Sequence, residues 1–155
     1  MRRKHREEKQ YEEDLIYESA LATRFIHYLM KDGKKSTAQR IFYKTMEIIE
    51  KQTKQNPLGV FNLAIKNVSP EIEVKTRRIG GANYQVPQAV PEHRKVTLAC
   101  RWLINASQGK KGKSMAEKLA EELILASKNE GAAIKKKLDV HRIAEANRAF
   151  ARFSF

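Results

Sequence analysis

One loop of the sequence resembles the phosphate-binding loop of nucleotide-hydrolysing enzymes. It reads Ser107-Gln-Gly-Lys-Lys-Gly-Lys-Ser114, whereas the motif requires glycine, four residues and then Gly-Lys-Ser or Gly-Lys-Thr. Ser107 stands in place of the first glycine, and the loop follows a helical pattern where the motif follows a strand, so nucleotide hydrolysis is disfavoured. Lysines before a helix N-terminus still suit an anion, because free amide donors and the helix dipole add to their charge. Backbone phosphate fits this loop better than ATP.

No other set of residues has the spacing of a catalytic or metal site. Four scattered histidines share no metal-ligand spacing: His5, His27, His93 and His141. None is paired with a nucleophile, and we expect the acids Glu121 and Glu122 to face solvent. The single cysteine, Cys100, excludes an intrachain disulfide and a cysteine-based zinc site. The sequence therefore predicts a protein that is not an enzyme and has no metal or cofactor.

Residues 73–87 predict a cationic β-hairpin. Two extended stretches, 72–78 and 84–90, flank Gly80-Gly81, and adjacent glycines supply the positive φ angles that a tight reversal needs. Between residues 74 and 91 there is no acid, and three cations lie on the hairpin: Lys75, Arg77 and Arg78. Tyr84 follows the turn, where it is placed to stack on an unpaired base. These features favour contact with nucleic acid.

Positive charge is concentrated along the chain. Of 155 residues, 31 are Lys or Arg and 18 are Asp or Glu, which gives a net charge of +13. Residues 75–113 contain nine basic residues and one acid, Glu92. Lys34-Lys35 and Lys135-Lys136-Lys137 add two clusters to the hairpin and the 110–113 loop. Four basic clusters at turns and element ends suit several backbone segments of a folded RNA better than one duplex groove.

Three helical patterns precede the hairpin. The first spans about 19–30, and Gly33 is predicted to end it in the left-handed conformation. The second begins at Ser36, with Gln39 completing a capping box, and Asn56-Pro57 opens the third as N-cap and N1 residue. Helical spacing predicts the following inward residues: Leu21, Phe25, Tyr28, Leu29, Ala38, Ile41, Phe42, Thr45, Ile49, Phe61, Ala64, Ile65 and Val68.

Three more helices follow Pro91. The fourth ends near residue 107, the fifth starts at a capping box of Ser114 and Glu117 and ends at Gly131, and the sixth ends near residues 150–153. Their inward residues are predicted to be Val96, Leu98, Ala99, Cys100, Trp102, Leu103, Ala116, Leu119, Ala120, Leu123, Ile124, Val140, Ile143, Ala144, Asn147 and Ala151. The sequence thus predicts a mainly α fold of about six helices, with one protruding β-hairpin between the third and fourth.

The chain is predicted to comprise an arm and one domain. Residues 1–18 form a charged N-terminal arm, which is either a frayed terminus or a tail that orders on RNA. Residues 19–155 form a single helical domain with the hairpin at about 72–90. The first residues lack the apolar core of a signal peptide, and no run approaches the roughly 20 apolar residues that span a membrane. We therefore expect a soluble protein of a reducing compartment.

Three blocks, in this order and spacing, resemble the ribosomal small-subunit protein seven family of bacteria and organelles. They are Asp32-Gly-Lys-Lys-Ser36, Val74-Lys-Thr-Arg-Arg-Ile-Gly-Gly-Ala-Asn-Tyr-Gln-Val-Pro87 and Ile143-Ala-Glu-Ala-Asn-Arg-Ala-Phe-Ala151. The resemblance implies a primary binder of the 3′ major domain of small-subunit rRNA that nucleates assembly of the head. It also implies a place near exit-site tRNA and the mRNA path, beside other head and platform proteins. The ribosome would be that of a bacterial cytoplasm or an organelle.

Carried over by position, the resemblance implies two sets of contact residues. Contacts to rRNA are expected from Arg2, Arg3, Lys4, Lys34, Lys35, Lys75, Arg77, Arg78, Arg94, Lys95, Lys110, Lys111, Lys113 and Lys136. The hairpin end would lie near tRNA or mRNA through Arg78, Gly80, Gly81, Ala82, Asn83 and Tyr84. Two alternatives of other classes are a nucleotide-hydrolysing enzyme acting at Lys113-Ser114 and a scaffold for an acidic protein partner.

Overall fold

Six α-helices and one β-hairpin make up the part of the chain that the computed structural model describes, residues 11–14 and 16–153. The elements are α1 (Ala20–Leu29), α2 (Lys35–Thr53), α3 (Pro57–Val68), β1 (Ile72–Ile79), β2 (Ala82–Ala89), α4 (Glu92–Gly109), α5 (Met115–Ser127), α6 (Ala132–Ala146) and a 3₁₀ segment (Arg148–Phe153). This order confirms the predicted mainly α fold with a hairpin between the third and fourth helices. Predictions for Arg2, Arg3, Lys4 and His5 lie outside the described residues.

The chain divides into two compact units, residues 1–40 and 41–155. In the first unit, the Ser19 hydroxyl caps α1 by accepting from the Ala22 amide at 3.4 Å. The buried side chains of α1 are Ala22, Phe25 and Ile26. The predicted stripe is confirmed at Phe25, while Leu21, Tyr28 and Leu29 are half-buried. Ala22 and Ile26, four residues apart, form the buried row instead.

The turn before α2 differs from its prediction. Helix α1 ends with Met30 extended, and Gly33 (φ 74°) lies three residues further on beside Asp32 (φ 52°), so Gly33 does not end the helix. Helix α2 starts at Lys35, one residue before Ser36, and the predicted capping box at Ser36 is wrong. A backbone carbonyl takes the place of the Ser36 hydroxyl, because the Ala38 amide donates to Lys34 O at 3.2 Å.

The described end of the arm packs on α1. Buried Asp14 accepts hydrogen bonds from the backbone amides of Ile16 and Tyr17 at 3.3 and 3.2 Å, which closes a local turn. The Tyr11 ring lies 5.5 Å from the His27 ring, and the Arg24 guanidinium lies 5.8 Å from the centre of Tyr11. Residues 11–14 and 16–18 are therefore held by contacts of their own, and their ordering on RNA stays a prediction.

The core of the second unit is formed by α3 to α6 and the second half of α2. Helix α3 packs on α4 and α5, and α6 contacts α3, α4 and α5. Phe42 of α2 meets Phe61 of α3 edge to face at 5.5 Å. Phe42, Phe61, Leu103, Leu119 and Leu123 are fully buried, and each such side chain contributes about 1.5–3 kcal/mol of hydrophobic stabilisation. This rigid core carries the hairpin and the loops that hold the candidate site.

Two of the predicted helix starts are confirmed. The side-chain oxygen Oδ1 of Asn56 accepts from the Leu58 amide at 3.0 Å, with Pro57 at N1. Ser114 and Glu117 exchange side-chain and backbone hydrogen bonds at 3.4 Å, which completes the capping box of α5. Both signals lie within four residues of sequence, so they form without help from distant elements.

The end of α5 and the last helix differ from their predictions. Helix α5 ends at Ser127, the left-handed residue after it is Asn129 (φ 61°), and Gly131 is the N-cap of α6 with φ 97°. Helix α6 stops at Ala146, and the chain continues as a 3₁₀ segment. Since a 3₁₀ helix has three residues per turn, the apolar face expected to reach Ala151 is not kept, and Ala151 and Ile143 are exposed.

The hairpin is an antiparallel pair whose register runs from Ile72 opposite Ala89 to Ile79 opposite Ala82. Gly80 and Gly81 form its two-residue turn, with φ values of 55° and 88°, and paired positive φ angles are the geometry of a type I′ turn. The predicted turn is confirmed. Helix α6 contacts both strands, and the 3₁₀ segment packs along β2, so the base and one side of the hairpin are fixed to the core.

Candidate nucleic-acid interface

The end of the hairpin is exposed. The tip residues that reach solvent are Gly80, Gly81, Ala82 and Asn83. Arg78 lies opposite Asn83 and is exposed. Its side chain has no hydrogen bond or ion pair with any residue that the structure describes. The tip therefore offers a charge and several unobstructed backbone groups to a partner.

Tyr84 lies at the side of the hairpin, against the C-terminal segment. Its ring centre is 5.1 Å from that of Phe150 and 6.2 Å from that of Phe153, and Tyr84 is half-buried. Arg77, opposite Tyr84 in the register, donates from Nη1 to the Phe153 carbonyl oxygen at 3.2 Å. The expectation of an aromatic tip therefore needs correction, because two phenylalanines cover part of the ring that was expected to stack on a base.

An acid at the base of the hairpin pairs with two of the predicted RNA-binding cations. Glu73 is buried, and its carboxylate accepts from Arg94 Nε at 2.8 and 2.7 Å. Lys75 Nζ lies 3.0 Å from the same carboxylate. Burial of Glu73 opposes its ionisation, but the hydrogen bonds from Arg94 and Lys75 outweigh that effect and hold the pKa of Glu73 below its ordinary value. The base of the hairpin is thus tied to the first turn of α4.

The loop between α4 and α5 carries three lysines, of which two are paired with acids of α5. Lys110 Nζ lies 2.8 Å from Glu122, and Lys113 pairs with Glu121. Lys113 Nζ donates a hydrogen bond to the Glu121 carboxylate, and this bond raises the pKa of Lys113 and lowers the pKa of Glu121. Lys111 is exposed and has no such partner within the described chain. Since this loop follows a helix, it lacks the strand context of a nucleotide-binding loop.

Glu122 corrects the expectation that Glu121 and Glu122 face solvent. The Glu122 side chain is 0% exposed, and its Oε1 accepts from the backbone amide of Ala133 at 2.9 Å. It therefore caps the N-terminus of α6 from a neighbouring helix, where a negative charge also complements the helix dipole. Glu121 is half-buried. Lys110 neutralises the buried carboxylate, so this lysine has a structural role as well as its predicted one.

The remaining predicted cations are distributed over other turns. Lys95 Nζ lies 2.5 Å from the carboxylate of Glu92. Lys34 is exposed in the turn before α2, Lys35 is exposed as the first residue of α2, and Lys136 is exposed in the first turns of α6. Neither salt bridges nor side-chain hydrogen bonds involve these last three lysines in the parts of the chain described.

Sequence reasoning missed the acids that organise these cations. Glu73, Glu121 and Glu122 each hold a lysine or arginine that the charge pattern marks as free. One signal was present in the sequence for Glu73, because residues two apart on a strand share a face and Lys75 follows at that spacing. The pairing of Glu73 with Arg94, 21 positions away, needs the tertiary fold.

Two kinds of feature are absent from residues 11–14 and 16–153. No group of three or more His, Cys, Asp or Glu side chains is placed to hold a metal ion. No helix there is long and apolar enough to cross a membrane. The candidate interface therefore consists of the hairpin, the cations and the acids that position some of those cations.

Comparison with known proteins gives a consistent result. A family described as ribosomal protein S7p/S5e matches residues 1–148. The chain is 55% identical over 153 residues to small ribosomal subunit protein uS7 of Thermosipho melanesiensis, which covers 99% of both chains. It is 51% identical over 153 residues, again 99% of both, to the protein of that name from Thermotoga maritima. With the one from Natranaerobius thermophilus it shares 53% identity over 140 residues, or 90% of each chain.

Proposed function

The chain belongs to the ribosomal protein S7p/S5e family, a family of structural components of the small ribosomal subunit, and we propose that it is a primary binder of the 3′ major domain of small-subunit rRNA. In this role it nucleates assembly of the head of the subunit. The observation that carries the proposal is the family match over residues 1–148, supported by cations at separate turns of a rigid helical core.

The mechanism of binding follows from where the cations lie. The hairpin and the α4–α5 loop belong to the same compact unit and present Arg78 and Lys111 to solvent. Cations fixed on one core neutralise phosphates of separate RNA segments and hold those segments in one tertiary arrangement. Each neutralised phosphate releases counterions and adds about 0.7–0.9 to the slope of log affinity against log salt.

The hairpin end is proposed to lie near exit-site tRNA and the mRNA path. Gly80, Gly81 and Ala82 are exposed and carry no bulky side chain, so the tip can approach a nucleic-acid backbone closely. Other head and platform proteins are the proposed protein neighbours. The similar proteins come from bacteria such as Thermosipho and Thermotoga, which favours a bacterial cytoplasmic ribosome over an organellar one.

The rRNA contact of the hairpin is tested with the double variant Arg77→Ala, Arg78→Ala. We expect weaker binding to the isolated 3′ major domain and a flatter salt slope. The matched control is Lys44→Ala with Lys51→Ala, which removes the same charge from exposed positions of α2 outside the four clusters. If both double variants lose the same affinity, the hairpin makes no specific contact and the cations act only through net charge.

The tip is tested separately by deleting one glycine of the Gly80-Gly81 turn. Affinity for rRNA is expected to stay unchanged while occupancy of the exit site by tRNA falls in reconstituted subunits. Unchanged tRNA occupancy would remove the tip from the tRNA contact. Nuclease treatment of a lysate addresses the acidic-partner alternative, because a ribosomal protein loses its association when RNA is digested and a protein-bound scaffold keeps it.

A further inference from the structure

The cluster of Glu73, Lys75 and Arg94 carries one more positive charge than its acid neutralises. The Glu73 side chain is 10% exposed, while those of Lys75 and Arg94 are 47% and 41% exposed. One cation would suffice to compensate the carboxylate, and the second leaves a net charge of one at the surface. An anion with one negative charge, such as a backbone phosphate, would neutralise the cluster.

The way in which Arg94 is held leaves its phosphate-binding groups open. Both hydrogen bonds from Arg94 to Glu73 come from Nε. Neither terminal nitrogen, Nη1 or Nη2, has a hydrogen-bond partner among the described residues. Two N–H donors of one guanidinium can grip a phosphate in a two-pronged arrangement, and Nη1 and Nη2 are the pair that Arg94 keeps available. Glu73 therefore holds Arg94 through Nε and leaves Nη1 and Nη2 without a partner in the described chain, on a side chain that is 41% exposed.

The surroundings of Glu73 strengthen this arrangement. Its side chain lines a cleft of about 260 Å³ together with Leu98, Trp102, Val140 and Ile143. Apolar walls lower the local dielectric constant and so strengthen the attraction between the carboxylate and its cations. The cleft also joins the hairpin to α4 and α6, so the position of Arg94 is coupled to the core.

We propose that Glu73 is a positioning residue that holds Arg94 and Lys75 as a preformed site for a backbone phosphate of RNA at the base of the hairpin. The inference rests on the proposed function, since it names a particular phosphate site within that interface. It makes an unusual prediction, because an acid in a cationic surface increases RNA affinity. Net charge alone predicts the opposite, because an acid on a cationic surface should lower RNA affinity.

The test compares two substitutions that remove the same negative charge. Glu73→Gln removes the positioning acid, and Glu92→Gln removes an acid whose side chain is 87% exposed in the same turn of α4 as Arg94. Binding to the isolated 3′ major domain is measured across a salt series. Glu73→Gln should weaken binding about tenfold, the effect of losing one charge-assisted hydrogen bond, and flatten the salt slope by about 0.7–0.9. Glu92→Gln should tighten binding slightly.

Thermal unfolding reveals whether Glu73→Gln folds poorly. A second variant, Arg94→Lys, tests the same inference in that case. Arg94→Lys keeps the charge but loses the fork, and we expect it to bind several-fold more weakly with an unchanged melting temperature. If Glu73→Gln tightens binding as Glu92→Gln does, or if Arg94→Lys binds like the unmodified protein, the positioning role is wrong. Failure of the unmodified protein to prefer the rRNA would instead contradict the proposed function.

Discussion

Replacing Gly131 by alanine is expected to destabilise the protein strongly. Gly131 has φ 97° and ψ 173°, a region that essentially only glycine occupies and that costs other residues about 1–3 kcal/mol. An added Cβ would lie 2.8 Å from Glu122 Oε1 and 3.2 Å from Leu125 Cβ. The buried carboxylate would have to move away from the Ala133 amide, and a lost buried hydrogen bond costs about 1–3 kcal/mol more. Together these give a loss of about 2–6 kcal/mol in unfolding free energy.

Gly112→Ala provides the matched control. Gly112 also has a positive φ, 85°, but a Cβ there meets nothing within 4 Å, so only backbone strain of about 1–2 kcal/mol is expected. Urea unfolding followed by circular dichroism measures the unfolding free energy of both variants. In thermal unfolding, each kcal/mol of lost stability lowers the melting temperature by about 2–4 °C. In a Glu122→Ala background, Gly131→Ala should lose less unfolding free energy, because the contact with the carboxylate is gone and only the backbone strain and the close Leu125 Cβ remain. Equal losses for Gly131→Ala and Gly112→Ala would refute the argument that Glu122 closes this position.

Three further predictions concern single side chains. Ser114→Ala breaks the capping box and should lower the unfolding free energy by about 1 kcal/mol, measured by thermal melting. Lys110→Ala leaves the buried carboxylate of Glu122 without its counter-charge and should cost about 1–3 kcal/mol of stability, whereas Lys111→Ala should change RNA affinity alone; equal stability of the two variants would contradict this. Because the folded-state pKa of Glu73 is below its ordinary value of 4.5, its ionisation stabilises the protein above that pH. This contribution should disappear as the pH falls through the folded-state pKa, so the stability gap to Glu73→Gln should close in acid unfolding curves.

Local signals account for the parts of the fold that the sequence predicts correctly. Asn56-Pro57, the capping box at Ser114 and the Gly80-Gly81 turn each specify a backbone geometry within four residues. Two local signals fail in the turn before α2, at Gly33 and Ser36, where the backbone makes hydrogen bonds of its own. A further error falls where the determining contact is distant in sequence. Glu122 follows a solvent-face pattern on α5 yet is buried as the cap of α6, which no single-helix pattern records.

The candidate site shows the same division. Its location on the hairpin and the α4–α5 loop is predicted by the charge pattern and by the turn residues in the sequence. Whether a given cation is paired with an acid does not follow from the sequence. Lys110 and Arg94 are held by acids that only tertiary packing brings next to them. Tyr84 likewise meets Phe150 through the C-terminal 3₁₀ segment, whose departure from the α-helical period the apolar pattern does not reveal.

The most direct test of the central claim is binding of the purified protein to the isolated 3′ major domain of small-subunit rRNA. An unrelated folded RNA of equal length is the control, and both are titrated across a salt series. The proposed function predicts tight binding with a steep salt dependence and a clear preference for the rRNA. Equal affinity for both RNAs at every salt concentration would contradict it and leave only a general attraction between a polycation and RNA.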